Sequence, residues 1–523
     1  MIFIRFVLGE CLRRRRYMLP VMWICIMFFM PLRCNALRKM RYFAHVFFIG
    51  AKEITTMQEK HHRSLTVSFI VAIAFFMQFL DTTAVNTAIP TMAASFGTDV
   101  IHISTGITSY VIALAVFIPV SGWVADRFGT RRVFSSAVAF FIIASALCGM
   151  SQNLGQFVAC RILQGMAGAM MSPVGRLAVL KVTPKEDLPA AMNYITLPAL
   201  VAPVVGPLVG GYLATYMSWH WIFYLNIPVG IACVILALRY IPREASSDGN
   251  NGKPFDFPGF VLSGVGLAGF MYGVEMFSRE GMPYYVPFVV IGVSAGLLAL
   301  SVLRSSRTKA PLIDYSVMKV FTYRVTITTG SISRMIIGVF PYLGPLMFQV
   351  GFGLSPFESG LLFLSTMAGN LCMKSVTVWV IKRFRFRSIL FVNGALSALF
   401  TLFTALLVPS TPVWLMVSVL FVSGMFRSMQ FSTLTTLAFS DIPEREMTSA
   451  NTLYSTIQQM SIGMGIAIGA VSLRFSNIIN GGQAGHYTVA DFRMAFIFVA
   501  VVGLAHLYGY VRLAKDAGSS VKG

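Results

Sequence analysis

Two charged side chains stand where a long apolar sequence offers them no water: Asp81, in Leu80-Asp81-Thr82-Thr83, and Arg161, in Arg161-Ile-Leu-Gln164-Gly165. A charge in the middle of such a run costs at least about 2.5 to 3.5 kcal/mol on membrane-insertion scales, so each is a functional candidate by default. Both lie about eight or nine residues inside the same end of their runs, roughly 12 to 14 Å deep at about 1.5 Å per residue. Equal depth permits a pair. Arg161 would then neutralise Asp81 until a proton or a solute displaced it, and a carboxylate released in this way can exchange protons against a solute. The alternative is an ion pair that only fixes helix packing. Gln164, one turn from Arg161, joins the candidate group.

Four other charges invite the same question. Glu275 lies near the end of another apolar run and reads either as a proton carrier or as a side chain in interfacial water. Arg334 and Arg427 fall near the middle of later runs, with no mid-run carboxylate in that half of the chain. They are expected either to bond backbone carbonyls or glutamines such as Gln458 and Gln459, or to hold an anionic or amphipathic substrate. Lys374 is placed to reach toward water along its own stem. Phe340, Tyr342, Met347 and Phe348 can line an adaptable apolar cavity or pack a core. Enzyme chemistry is not indicated: the seven histidines show no metal or triad spacing, the seven cysteines no CxxC, and Gly252-Lys253-Pro254 has proline where a P-loop needs a hydroxyl.

What must position these residues is a set of membrane-crossing helices. Of 523 residues, 56% are hydrophobic and 12% charged, and the apolar residues come in blocks rather than one-faced stripes. A hydrocarbon layer of roughly 30 Å needs about 20 apolar residues, since every backbone polar group must be satisfied within its own helix. Blocks of that length recur at 66–90, 104–125, 133–150, 154–180, 190–214, 221–240, 257–277, 285–303, 323–349, 358–380, 388–408, 412–438, 448–472 and 492–511. They predict an all-α polytopic membrane protein of about fourteen transmembrane helices. The net charge is +21, and beyond residue 56 the Lys and Arg sit largely in alternate links, among them Arg127, Arg131 and Arg132, Lys181 and Lys185, Arg304 and Arg307, and Lys382 to Arg387. Basic links mark the cytoplasmic side, so both termini are expected there, and the basicity reflects topology rather than nucleic-acid binding. Arg279, Arg474 and Arg493, and the acidic link Asp441 to Glu446, depart from that pattern.

Residues 1–56 read differently from the rest of the chain: CLRRRR, a run from Tyr17 to Met30 broken by Pro20, then RCNALRKMR. The run is short for a span. It reads as a signal-like segment, an interfacial helix or a fifteenth span. The string Met57-Gln-Glu-Lys-His-His-Arg, leading straight into the first long block, supports Met57 as the initiator and 1–56 as a leader outside the native protein.

Four strings carry a resemblance. Gly122-Trp-Val-Ala-Asp126-Arg127-Phe-Gly129-Thr-Arg131-Arg132, in the link after the second span, resembles the G-x-x-x-D-R-x-G-R-R signature of the major facilitator superfamily, with Thr130 in place of one arginine. Its glycines allow a tight turn, and Asp126 with the arginines can latch one conformation. Pro203, Gly206, Pro207, Gly210 and Gly211, in the fifth span, resemble the antiporter motif of that superfamily's drug exporters, with Ala202 where the first glycine is expected. Leu80 to Pro90 and Trp219-His-Trp-Ile-Phe223-Tyr-Leu-Asn226-Ile-Pro228 resemble the fourteen-helix drug:proton antiporters. The resemblance implies two six-helix bundles, residues 57–241 and 321–523, with two inserted helices within 242–320, and alternating access. Lys382-Arg383-Phe384-Arg385-Phe386-Arg387 is a decayed copy of the latch in the second half, with Lys382 at the aspartate's place.

The expected function is proton-coupled export of drugs or amphipathic small molecules from a bacterial inner membrane. The partners are then the solute, protons and the lipid bilayer, with no nucleic acid, no metal and no cofactor beyond the proton gradient. Export of an endogenous, anionic metabolite is the second reading, and a transport-inactive membrane sensor the third.

Overall fold

A computed structural model describes residues 36–521 apart from 99, 244–253, 278–282, 284, 309, 482–486 and 515, with side chains from Arg63 onward except at scattered helical positions, Pro203 and Pro207 among them. The expected leader, residues 1–56, lies outside the described side chains.

The described residues form helices and no strand. The first group is α1 (Ala36–Phe96), α2 (Val100–Phe117) with α3 (Val120–Phe128), α4 (Thr130–Gly149), α5 (Leu154–Val182), α6 (Leu188–Tyr216), and α7 (His220–Tyr224) with α8 (Asn226–Tyr240). Two further helices, α9 (Phe257–Met276) and α10 (Tyr285–Ser305), precede the second group. That group is α11 (Phe321–Leu346), α12 (Pro356–Arg383), α13 (Phe386–Ala405), α14 (Val413–Ser440), α15 (Met447–Ile479) and α16 (Val489–Val511).

Twelve described helices are long and apolar enough to cross a bilayer, and the bent pair α2 and α3 makes a thirteenth. α6, with 29 residues and about 43 Å of length, stands where the fifth of the fourteen expected spans belongs. One expectation needs correcting: 104–125 is not a single helix but bends by 58° between Phe117 and Val120. Pro119 is the cause, because it has no N–H to give the preceding turn.

Helix ends are fixed locally. Asn153 accepts from Gln156 N at the start of α5, and Ser355 with Glu358 and Thr488 with Asp491 form capping boxes for α12 and α16. Between α3 and α4 the chain turns at Gly129 with φ +84°, a conformation that only glycine adopts without strain. Within the second group α12 and α14 pack backbone to backbone, since a methyl at Gly369 would strike the Phe421 carbonyl and one at Gly424 the Thr366 carbonyl.

The packing differs between the two ends of the helices. Toward the end bearing the basic links, one continuous core joins both groups, from Val71 and Phe134 in the first to Tyr323, Phe439, Leu453 and Tyr454 in the second. Toward the opposite end each group has its own core, around Val85, Phe157 and Phe223 in one and Phe340, Phe348 and Phe496 in the other. α9 lies against both, with Leu267 and Phe270 in one cluster with Ala115 of α2 and Ala467 and Ala470 of α15. Side-chain bonds cross the seam at the basic end: Asn451 Nδ2 donates to the Pro173 carbonyl at 2.8 Å, Arg176 Nη1 to Ser455 Oγ at 3.1 Å, and Asn193 Nδ2 to the Lys374 carbonyl at 2.7 Å.

Candidate functional site

α1, α4, α5 and α8 bring five polar side chains to one point inside the first bundle. Asp81 is 1% exposed, and Arg161 and Gln164 are fully buried. Arg161 Nη1 donates to Asp81 Oδ2 at 2.7 Å and to Gln164 Oε1 at 2.6 Å. Asp81 Oδ1 accepts from Gln164 Nε2 at 3.0 Å and from Asn226 Nδ2 at 2.9 Å. Ser145 Oγ accepts from Asn226 Nδ2 at 2.9 Å and donates to the Phe223 carbonyl at 3.0 Å. The guanidinium lies 4.5 Å from the Tyr110 ring centroid, where the ring face attracts a cation.

Both carboxylate oxygens are thus satisfied by donors from two other helices, which is the condition for keeping a charge in an apolar interior. The guanidinium is less well served: Arg161 Nε and Nη2 have no hydrogen-bond partner. The arrangement holds a negative charge by one cation and two neutral amides. A proton arriving at Asp81 would remove the attraction and leave the amide donors without a charged acceptor.

The sequence spacing places Asp81, Arg161 and Gln164 at one depth, and the structure brings them into contact. Sequence reasoning gave no role to Asn226, although it sits in the string from Trp219 to Pro228, nor to Ser145 and Tyr110. Neutral polar residues are common in membrane helices, so they stand out less than charges do. Glu275 is half-buried one residue before the end of α9 and is not part of this cluster.

In the second bundle the expected partners divide: Arg334 finds a backbone carbonyl, and neither arginine finds a glutamine. Arg334 Nη1 donates to the Thr326 carbonyl at 3.0 Å, and its guanidinium lies 4.7 Å from the Tyr454 ring; neither Gln458 nor Gln459 bonds it. Arg427 packs on Phe340, 4.1 Å from the ring centroid. Lys374 does not reach water: it is 5% exposed and donates to Thr196 Oγ1 at 2.9 Å and Ser432 Oγ at 2.7 Å, spanning the seam. Phe340, Met347 and Phe348 are buried in the second bundle's own core.

The latch string lies at the seam. Gly122, Asp126 and Arg127 of α3 line a cleft with Asp314, Thr448 and Thr452, and a methyl on Gly122 would run into the Thr452 hydroxyl. Arg127 lies 5.5 Å from the Trp123 ring, while Arg131 and Arg132 occupy the first turn of α4 after Gly129. In α6 a methyl at Gly206 would strike the Thr83 side chain of α1, and Thr83 Oγ1 donates to the Ala202 carbonyl at 3.3 Å. Gly211 has open space around it, so close helix approach explains Gly206 and not Gly211. Pro203, Pro207 and Gly210 lie in the same helix.

Two packed groups of membrane-crossing helices, closed together at one end and separate in their cores at the other, with an ion pair buried between helices, define a membrane transporter. The chain belongs to the major facilitator superfamily, whose profile, described as Major Facilitator Superfamily, matches residues 71–468. It is 39% identical over 435 residues to a Serratia proteamaculans protein provisionally named multidrug resistance protein MdtD, covering 82% of this chain and 88% of that one. A protein of Escherichia coli O6:H1 with the same provisional name is 37% identical over 456 residues, covering 87% and 95%. Among solved structures, the proton:xylose symporter XylE bound to 6-bromo-6-deoxy-D-glucose superposes with a TM-score of 0.60 at 12% identity, covering 88% of this chain and 98% of that one. The last comparison concerns the fold alone. The protein is a multi-pass membrane transporter and not an enzyme.

Proposed function

We propose that this transporter exports drugs or similar amphipathic small molecules in exchange for protons, by alternating access across a bacterial inner membrane, with both termini in the cytoplasm. The observation that carries the proposal is the Asp81 cluster. Among the described residues Asp81 is the buried acid away from any helix end; Asp256 and Asp491 cap helices and Glu275 is half-buried. A proton that neutralises Asp81 weakens its hold on Arg161 and so changes how α1 and α5 bind each other. That is a change local to the first bundle which its packing against the second can report. The provisional names of the relatives support the drug class, and the alternation of basic links supports the orientation.

The test is proton-driven export by the full-length chain in proteoliposomes. Asp81→Asn is expected to abolish acceleration of solute movement by a pH gradient while leaving slow movement down the solute's own gradient. Export driven by pH to the wild-type extent in Asp81→Asn would refute the assignment. Substrate-dependent proton flux confined to one metabolite would favour the dedicated exporter, and none across many solutes the sensor.

A further inference from the structure

Two arginines from opposite bundles meet on one tyrosine at the seam. Arg176 of α5 lies 5.2 Å from the Tyr454 ring centroid and Arg334 of α11 lies 4.7 Å from it. Both are buried, Arg334 to 1% exposure. Arg176 Nη1 donates to Ser455 Oγ and Arg334 Nη1 to the Thr326 carbonyl, which leaves Arg334 Nε and Nη2 without a partner. No carboxylate among the described residues pairs with either one. The ring contacts and neutral acceptors offset part of the cost of burying each charge, but two like charges brought into one dry place still repel. The repulsion exists only while the seam is shut, because the arginines belong to different bundles.

We propose that the seam holds a buried anion site in which Arg176 and Arg334 together bind a carboxylate, phosphate or sulfate group. A guanidinium offers paired N–H groups to such a group in a fixed fork, and Arg334 has an Nε and an Nη2 free for that geometry. An anion there bridges the bundles, so it binds more tightly when the basic end is closed than when it is open. By linkage it shifts the population toward the closed form. The group is either a free inorganic ion or the anionic end of a carried solute. The inference rests on the two-state cycle of the proposed function but not on Asp81.

The experiment uses the full chain, with native cysteines replaced and spin labels at Glu186→Cys and Lys382→Cys, both exposed at the basic end on opposite bundles. In lipid nanodiscs at low ionic strength, distance distributions are recorded with phosphate, sulfate, benzoate or neutral benzamide. At saturation, phosphate, sulfate or benzoate is expected to raise the ratio of closed to open populations about tenfold, and benzamide to leave it unchanged. Arg334→Gln and Arg176→Gln should each lose the response and Arg334→Lys keep part of it. Ser455→Asp, which sets a carboxylate beside Arg176, should favour the closed form without added anion and no longer respond to one. An effect of inorganic ions alone identifies a free ion, whereas an effect of benzoate together with its uptake in proteoliposomes identifies a solute group. No response to any anion, an equal response to benzamide, or a full response in Arg334→Gln overturns the site. Should pH-driven export survive Asp81→Asn while the anion response persists, the coupling proposal fails and the anion site stands.

Discussion

Neutralising one member of the Asp81–Arg161 pair should be worse than neutralising both. In Asp81→Asn, Arg161 keeps Gln164 Oε1 at 2.6 Å but loses its carboxylate, and its Nε and Nη2 already lack partners. The new amide fits neither way round: its NH2 faces either the donors of Gln164 and Asn226 or the guanidinium. Leaving a buried charge unpaired costs about 3 to 5 kcal/mol, and this variant belongs at the upper end of that range. In Arg161→Gln the carboxylate keeps its two amide donors, at 3.0 and 2.9 Å, so a loss of about 3 kcal/mol is expected. Asp81→Asn with Arg161→Gln buries no charge, and its stability should lie within about 1 kcal/mol of the wild type. Melting temperatures of the four proteins in one detergent should therefore rank wild type and double variant highest, then Arg161→Gln, then Asp81→Asn. A double variant less stable than either single one, or single variants indistinguishable from wild type, would refute the reasoning.

Four further outcomes are expected from the packing. Gly369→Ala should cost about 1 to 3 kcal/mol, because its methyl meets the Phe421 carbonyl rather than a side chain that can move, whereas Gly211→Ala should leave the melting temperature unchanged. Gly206→Ala presses on Thr83, two residues from Asp81, and should slow pH-driven transport more than it lowers stability; equal activity of Gly206→Ala and Gly211→Ala would contradict this. Gly122→Val drives into Thr452 and should part the seam at the basic end, seen as faster thiol labelling of Leu453→Cys, which is buried in the shared core. Lys374→Met removes an ammonium buried against two hydroxyls and should raise the melting temperature; a fall would mean that its bonds to Thr196 and Ser432 outweigh its desolvation.

How much of this was legible depended on the size of each signal. Spans were readable because a bilayer demands about 20 apolar residues at a time. Asp81 and Arg161 were readable because a charge at such depth is rare. Arg176 was not: in 154–180 it falls within about a turn of the basic end, where arginine ordinarily reaches water along its stem. The break after Phe117 needed the helix direction on both sides of Pro119, which a run of apolar letters does not carry. Nor could the shared core be read, since a leucine facing lipid and a leucine facing the other bundle are equally apolar. Arg427 shows the same limit, because an aromatic face at 4.1 Å leaves no mark in spacing.

The seam at the basic end is fastened by small ties: an asparagine on a proline carbonyl, an asparagine on a lysine carbonyl, an arginine on a serine, and apolar contact around them. Side-chain bonds of this kind inside membranes average about 0.6 kcal/mol. In the proposed alternating-access cycle, apolar surface that parts at the seam meets water entering the opened route, so the shared core adds a hydrophobic cost to opening that these weak ties do not set alone. A polar or bulky substitution along this line thus acts first on dwell times. It changes how long the protein waits in each posture well before it threatens the fold.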